Sequence, residues 1–153
     1  MNALELLKND HDKVDKLFQK VEATDESEHR ALFEQIKEEL EVHTHIEETI
    51  FYPRMKEEGD QELKDIVLEG IEEHRQAKMF LRELEALQDD SEKFEPKLKV
   101  LKEDIEHHVQ EEEGEMFPMI REQIDAGVLE DMGEEMAAEK KKFQKSGKAA
   151  SGR

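Results

Sequence analysis

The sequence predicts an all-α protein, an up-down-up-down four-helix bundle with a short C-terminal helix, and three observations carry that prediction. Charged residues are 42% of the 153 and hydrophobic ones 35%, so the elements must be amphipathic, and a helix needs only one apolar stripe. Four segments repeat their apolar residues at the 3–4 spacing of a helix face. No run of useful length alternates with period two, as a half-buried strand would. One domain is expected at this length, with residues 1–123 as the bundle, 124–144 as a capping helix and 145–153 as a disordered basic tail.

The first stripe is Leu4, Leu7, His11, Val14, Phe18 and Val21. Asp25 with Glu28 three residues on reads as a capping box that opens the second helix. Its stripe is Leu32, Ile36, Leu40, His43, Glu47 and Ile50, with Pro53 and then Gly59 marking a frayed end. The third stripe is Leu63, Val67, Gly70, His74, Ala77, Leu81 and Leu84, followed by the polar break QDDSE. Pro96 suits the first turn of the fourth helix, whose stripe is Leu98, Leu101, Ile105, His108, Glu112, Met116 and Met119. Leu129, Met132, Met136 and Phe143 mark the shorter last helix. Helices of about 22–30 residues are roughly 33–45 Å long and, joined by short loops, pack antiparallel.

The balance of 23 Lys+Arg against 42 Asp+Glu leaves a net charge of −19. A nucleic-acid backbone and an anionic membrane would both be repelled, so neither is expected as a partner. The absence of cysteine excludes disulfides, thiolate metal sites and cysteine nucleophiles. The N-terminus lacks a basic, then apolar leader, and no stretch approaches the roughly 18–20 apolar residues of a membrane span. A cytoplasmic location is expected. The end of the chain holds Lys140, Lys141, Lys142, Lys145, Lys148 and Arg153 without an acid, and reads as a solvated tail dispensable for the site.

Each stripe carries a histidine where leucine would be expected: His11, His43, His74 and His108. Two helices add a glutamate four residues later, Glu47 and Glu112, which shares a helix face with its histidine. The segments from His43 and His108 superpose with an offset of 65, which also relates Glu47 to Glu112 and Pro53 to Pro118. His11 and His74 align at an offset of 63, each preceded by an acid, Asp10 and Glu73. Two copies of a helix pair thus each contribute His, then His-x-x-x-Glu. Counting 1.5 Å per residue from the shared turns places all four histidines at one level, within about a turn. A layer of six buried ionisable groups would strain a domain stable by only about 5–15 kcal/mol unless its members were fully paired. Cations would satisfy those lone pairs. Four imidazoles and two carboxylates without thiolate suit iron first, then manganese or zinc. Two half-sites imply two ions, with His11, His43, Glu47, His74, His108 and Glu112 as metal ligands; no catalytic residue is assigned.

The paired HxxxEExxxxP segments, His43-Glu47-Glu48-Pro53 and His108-Glu112-Glu113-Pro118, with single histidines in the first and third helices, resemble the hemerythrin-like (HHE) family over about residues 3–122. The ending LEDMGEEMAAEKKKF also looks like the tail of short bacterial members. The resemblance implies a non-haem di-iron centre. One iron would be held by His11 and His43 and the other by His74 and His108, with Glu47 and Glu112 bridging beside an oxo or hydroxo group. Oxygen-carrying members have a second histidine four residues on in the third helix, where this chain has Lys78. That departure implies a site short of one imidazole, with Glu48, Glu113, His45 or His107 as candidates to complete it. Tyr52, next to Pro53, could sit near the site, but Phe117 holds the matching position and packing is the favoured role; His29 reads as an exposed residue without a role.

The resemblance implies binding of, or reaction with, O2, hydrogen peroxide or nitric oxide, with catalase-like peroxide decomposition favoured by open metal positions. Non-enzymatic binding, storage or sensing of O2 or iron is the alternative. A third reading is a structural metal in a bundle whose surface engages a protein partner. A regulator would be expected to carry a further domain.

Overall fold

The computed structural model describes residues 1–151, with side chains to residue 146. Helices fill almost all of that span, and no strand forms among the described residues. Helix α1 (Ala3–Ala23) opens on a capping box: the Asn2 side chain accepts from the Glu5 amide at 2.9 Å, and the Glu5 carboxylate accepts from the Asn2 amide at 3.1 Å. At the next start only half of the expected box forms. Asp25 accepts from the Ser27 amide at 3.1 Å, and a single 3₁₀ turn, Glu26–Glu28, precedes α2 (His29–Ile46).

The prolines do not fray their helices. A π-helical turn, Glu47–Phe51, joins α2 to α3 (Tyr52–Glu58), and a second, Glu112–Met116, joins α5 (Phe94–Glu111) to α6 (Phe117–Gln123). Proline has no amide hydrogen, and its ring crowds the carbonyl four residues back. In the wider turns the Tyr52 and Phe117 amides donate to the Glu47 and Glu112 carbonyls, five residues back. Each rod therefore continues past its proline. The chain instead turns at Gly59, where Asp60 caps α4 (Gln61–Ala86) by accepting from the Leu63 amide at 3.0 Å.

The last helix, α7 (Ala126–Ser151), is longer than the sequence suggests. Residues 145–151, expected without structure, continue it, because nothing between Ala126 and Ser151 breaks a helix as Pro would. Lys140, expected in a solvated tail, instead lies in α7 with its ammonium paired to buried Asp10, and residues 152–153 of that tail lie outside the described residues. Leu129, Met132 and Met136 of α7 join an apolar cluster with Leu4, Leu7, Ile46, Phe51, Met55 and Val67. A second cluster collects Val14, Phe18, Phe33, Ile36, Leu40, Leu81, Leu98 and Leu101. Between the two, at the level of His11, His43, His74 and His108, the core is polar.

Candidate metal centre

The four histidines expected at one level do meet, and both glutamates join them. All six are buried. The rings of His11 and His43 lie 4.9 Å apart, centre to centre, and those of His74 and His108 lie 5.0 Å apart. The two glutamates stand between these pairs. Glu47 Oε1 is 3.0 Å from Nε2 of both His43 and His74. Glu112 reaches His11 Nε2 through Oε1 and His108 Nε2 through Oε2, each at 3.1 Å. Each glutamate thus touches one imidazole of either half. The π-turns begin on these two residues, directly after the helical turn that carries the histidine.

Each outward nitrogen has a carboxylate partner. His11 Nδ1 faces Glu113 at 2.6 Å, His43 Nδ1 faces Asp10 at 3.1 Å, His74 Nδ1 faces Glu48 at 2.7 Å and His108 Nδ1 faces Glu73 at 2.6 Å. A carboxylate only accepts, so each Nδ1 donates and Nε2 is the nitrogen turned inward. Such outer carboxylates orient metal-binding imidazoles and raise their basicity. The acids that precede His11 and His74 in sequence, and those that follow Glu47 and Glu112, are these partners.

Burial works against charge throughout the layer, yet the charges prevail. It opposes the His43 imidazolium, but Glu47 and Asp10 push its pKa up to about 10. It opposes that of His108 too, and Glu112 holds this ring well above the ordinary range. Burial likewise disfavours the Glu47 carboxylate, which the charge on His43 and the neighbouring imidazoles of His108 and His74 hold well below the usual value. These shifts favour protonated imidazoles in the metal-free layer, and metal binding would compete with those protons.

The donor set fits such cations. Although carboxylate oxygens lie 3.1 and 3.0 Å from His11 Nε2 and His43 Nε2, these nitrogens, Glu47 Oε2 and Glu112 Oε1 are buried without an aligned hydrogen bond, a costly state for polar atoms unless a ligand meets them. Among the described residues, the groupings with metal-ligand spacing include His11, His43 and Glu112 in one set and Glu47, His74 and His108 in another. Each pairs one carboxylate with two imidazoles. The same ions as before, iron, manganese or zinc, suit these nitrogen and oxygen donors.

Four residues weighed as completing ligands lie elsewhere. Glu48 and Glu113 sit behind His74 and His11. His45 stacks on Phe143 of α7 and pairs with Glu139 at 3.0 Å. His107 is 66% exposed and pairs with Glu111 at 2.8 Å. Lys78, 43% exposed, pairs with Glu48 at 2.7 Å rather than facing the inner nitrogens.

Tyr52, for which the sequence favours packing, stands at the site. It is fully buried, and its hydroxyl donates to Glu112 Oε2 at 2.6 Å, with Nε2 of His74 and His108 at 3.4 and 3.5 Å. Burial and the neighbouring carboxylates of Glu112 and Glu47 hold its phenol well above its ordinary pKa, so it keeps its proton. The available signal was Gly70, a gap in the third stripe one turn before His74. A Cβ there would lie 2.8 Å from the Tyr52 hydroxyl oxygen. His29 is also corrected. It is only 7% exposed, and sits between Glu95 and the carbonyls of Val21 and Thr24 as a joint between helices.

A helical bundle with a buried layer of paired His and Glu defines a cation-binding protein. The family profile for the hemerythrin HHE cation binding domain matches residues 2–120, and the chain belongs to that family. A solved structure, of a hemerythrin HHE cation binding domain-containing protein from Mycobacterium kansasii, superposes with a TM-score of 0.83 at 30% identity, covering 95% of this chain and 89% of that one. A protein of Nostoc sp. (strain PCC 7120) named DNA nickase is 30% identical over 149 residues, 94% of this chain. The chain spans 40% of that relative's length.

Proposed function

We propose that this chain is a non-haem di-iron protein that binds or reacts with O2, hydrogen peroxide or nitric oxide, and that decomposition of hydrogen peroxide is its favoured activity. The observation that carries the reading is the pair of half-sites, each of two imidazoles and a carboxylate, with the inward nitrogens of His11 and His43 lacking an aligned hydrogen bond. His11 and His43 would hold one ion and His74 and His108 the other, with Glu47 and Glu112 shared between them. Two iron ions held side by side would supply two-electron chemistry in both directions, giving two electrons to one peroxide to form two waters and taking two from another to release O2.

The chain's own residues shape what reaches that pair. A cavity of about 70 Å³ adjoins the four histidines, and Val14, Leu40, Ala77 and Ile105 narrow its walls. Its size admits a few waters or one small diatomic or peroxide molecule and excludes larger substrates. Tyr52 holds a proton at Glu112 Oε2, within reach of the inner nitrogens. Gln76, Asp104 and His107 line the same cavity and supply polar contacts.

Iron-supplied protein should contain two irons per chain and evolve O2 from added peroxide. Two irons without O2 evolution, but with a long-lived O2 adduct, would favour the alternative of a non-enzymatic binding or sensing protein. Fewer than two ions after anaerobic loading would overturn the di-iron reading. A net charge of −19 opposes approach to a phosphate backbone, so the DNA nicking in the longer relative's name does not suit this chain. A cytoplasmic site of action is part of the proposal; no described helix is long and apolar enough to cross a membrane.

A further inference from the structure

We propose that Lys140 of α7, beyond the matched family domain, is a positioning residue for the metal centre that fixes Asp10 and, through it, the imidazole of His43. The inference rests on the two-metal reading above.

Three of the four outer carboxylates meet a lysine. Lys78 pairs with Glu48 at 2.7 Å and Lys8 lies 3.8 Å from Glu113, but both lysines are largely exposed. The pair of Lys140 with Asp10 is different: the lysine side chain is 15% exposed and the carboxylate almost fully enclosed. Asp10 Oδ2 faces His43 Nδ1 at 3.1 Å, while Oδ1 accepts from the Lys140 ammonium. With both oxygens engaged, the carboxylate cannot turn without breaking a charged contact, and the plane of the His43 ring is set with it. His43 Nε2 then meets Glu47 Oε1 at 3.0 Å.

The fourth carboxylate has no such partner. Among the described residues, no lysine or arginine lies within ion-pair distance of Glu73, whose second oxygen faces His107 at 4.0 Å. The internal repeat gives the reason. Ile46 is buried in the cluster that holds Leu129, Met132 and Met136 of α7. Its counterpart 65 residues on is Glu111, which pairs with His107. One half of the repeat is enclosed by α7 and the other is not. Within α7, Lys140 sits between two anchors on His45, the Glu139 pair and the Phe143 ring stacked at 4.1 Å. Those anchors hold the ammonium in place.

Cobalt(II), titrated against a chelating dye, reports each site's affinity and, by its absorption spectrum, the arrangement of its ligands. Loss of an outer partner costs metal sites typically 10–100-fold in affinity. Lys140→Met, which frees that partner without removing it, should weaken one of the two Co²⁺ sites by up to about 10-fold and shift the spectrum, at an α7 still docked by circular dichroism. Lys140→Arg should restore both. Lys78→Met, which removes a solvated pair, should change either site by less than about threefold. Two sites of wild-type affinity and spectrum in Lys140→Met would overturn the inference. Equal weakening of both sites, unrelieved in Lys140→Arg, would also overturn it, since α7 would then be supporting the bundle as a whole. Failure of the wild-type chain to take up two Co²⁺ ions would refute the two-metal reading before any variant is compared.

Discussion

Substituting Gly70 by alanine tests whether a missing side chain on α4 is what admits Tyr52 to the metal layer. In a helix interior the change to alanine alone should stabilise the chain by about 1 kcal/mol. The new Cβ, however, would lie 2.8 Å from the Tyr52 hydroxyl oxygen, 3.2 Å from Cζ and 3.5 Å from Cε2. The phenol is fully buried against Phe51 and His74 and has no open space to enter. Crowding of that kind costs about 1–3 kcal/mol. Displacing the hydroxyl from Glu112 costs a further 1.5–3 kcal/mol or so, because the bond is to a charged acceptor. The balance is a net destabilisation of about 1.5–5 kcal/mol. Urea unfolding of metal-free wild type, Gly70→Ala, Tyr52→Phe and the double variant would measure it. The two single changes share one contact, so the double variant should lose less than their sum. A more stable Gly70→Ala protein, with Tyr52 still bonded to Glu112, would refute the reasoning.

His29→Ala should lower stability by about 2 kcal/mol at pH 6, since both ring nitrogens face acceptors. Burial opposes that imidazolium, but Glu95 and the two carbonyls outweigh it and raise its pKa. Its contribution is thus complete below the unfolded value of about 6.5 and fades as pH rises through the folded one. Unfolding curves at pH 6 and pH 9 should show the wild-type advantage shrinking. His43→Ala and His108→Ala should each lose metal by elemental analysis, whereas His29→Ala should keep two ions. Deleting residues 146–153 should leave metal content and spectrum unchanged, because Glu139, Lys140 and Phe143 all precede the cut; a colourless truncated protein would contradict this.

Periodicity and repetition made the bundle and all six inner residues legible in the sequence. Both depend on spacing along one helix: His43 and Glu47 share a face because a turn takes 3.6 residues, and the offset of 65 carries that relation to His108 and Glu112. The acids at Asp10 and Glu73 were visible for the same reason, but not which imidazole each would orient. Asp10 serves His43 on the next helix rather than its neighbour His11, and Glu113 crosses the bundle to reach His11. Tyr52, whose repeat counterpart is Phe117, gains its place at the site from a glycine eighteen positions away on another helix. His29 becomes a buried joint only when α5 brings Glu95 against it, and Lys140 reaches Asp10 across 130 positions of sequence. Contacts of these kinds depend on how helices rotate and stack against one another. That is set by the packing of whole apolar faces, such as Leu129, Met132 and Met136 against Leu4 and Ile46, and no spacing within a single helix encodes it.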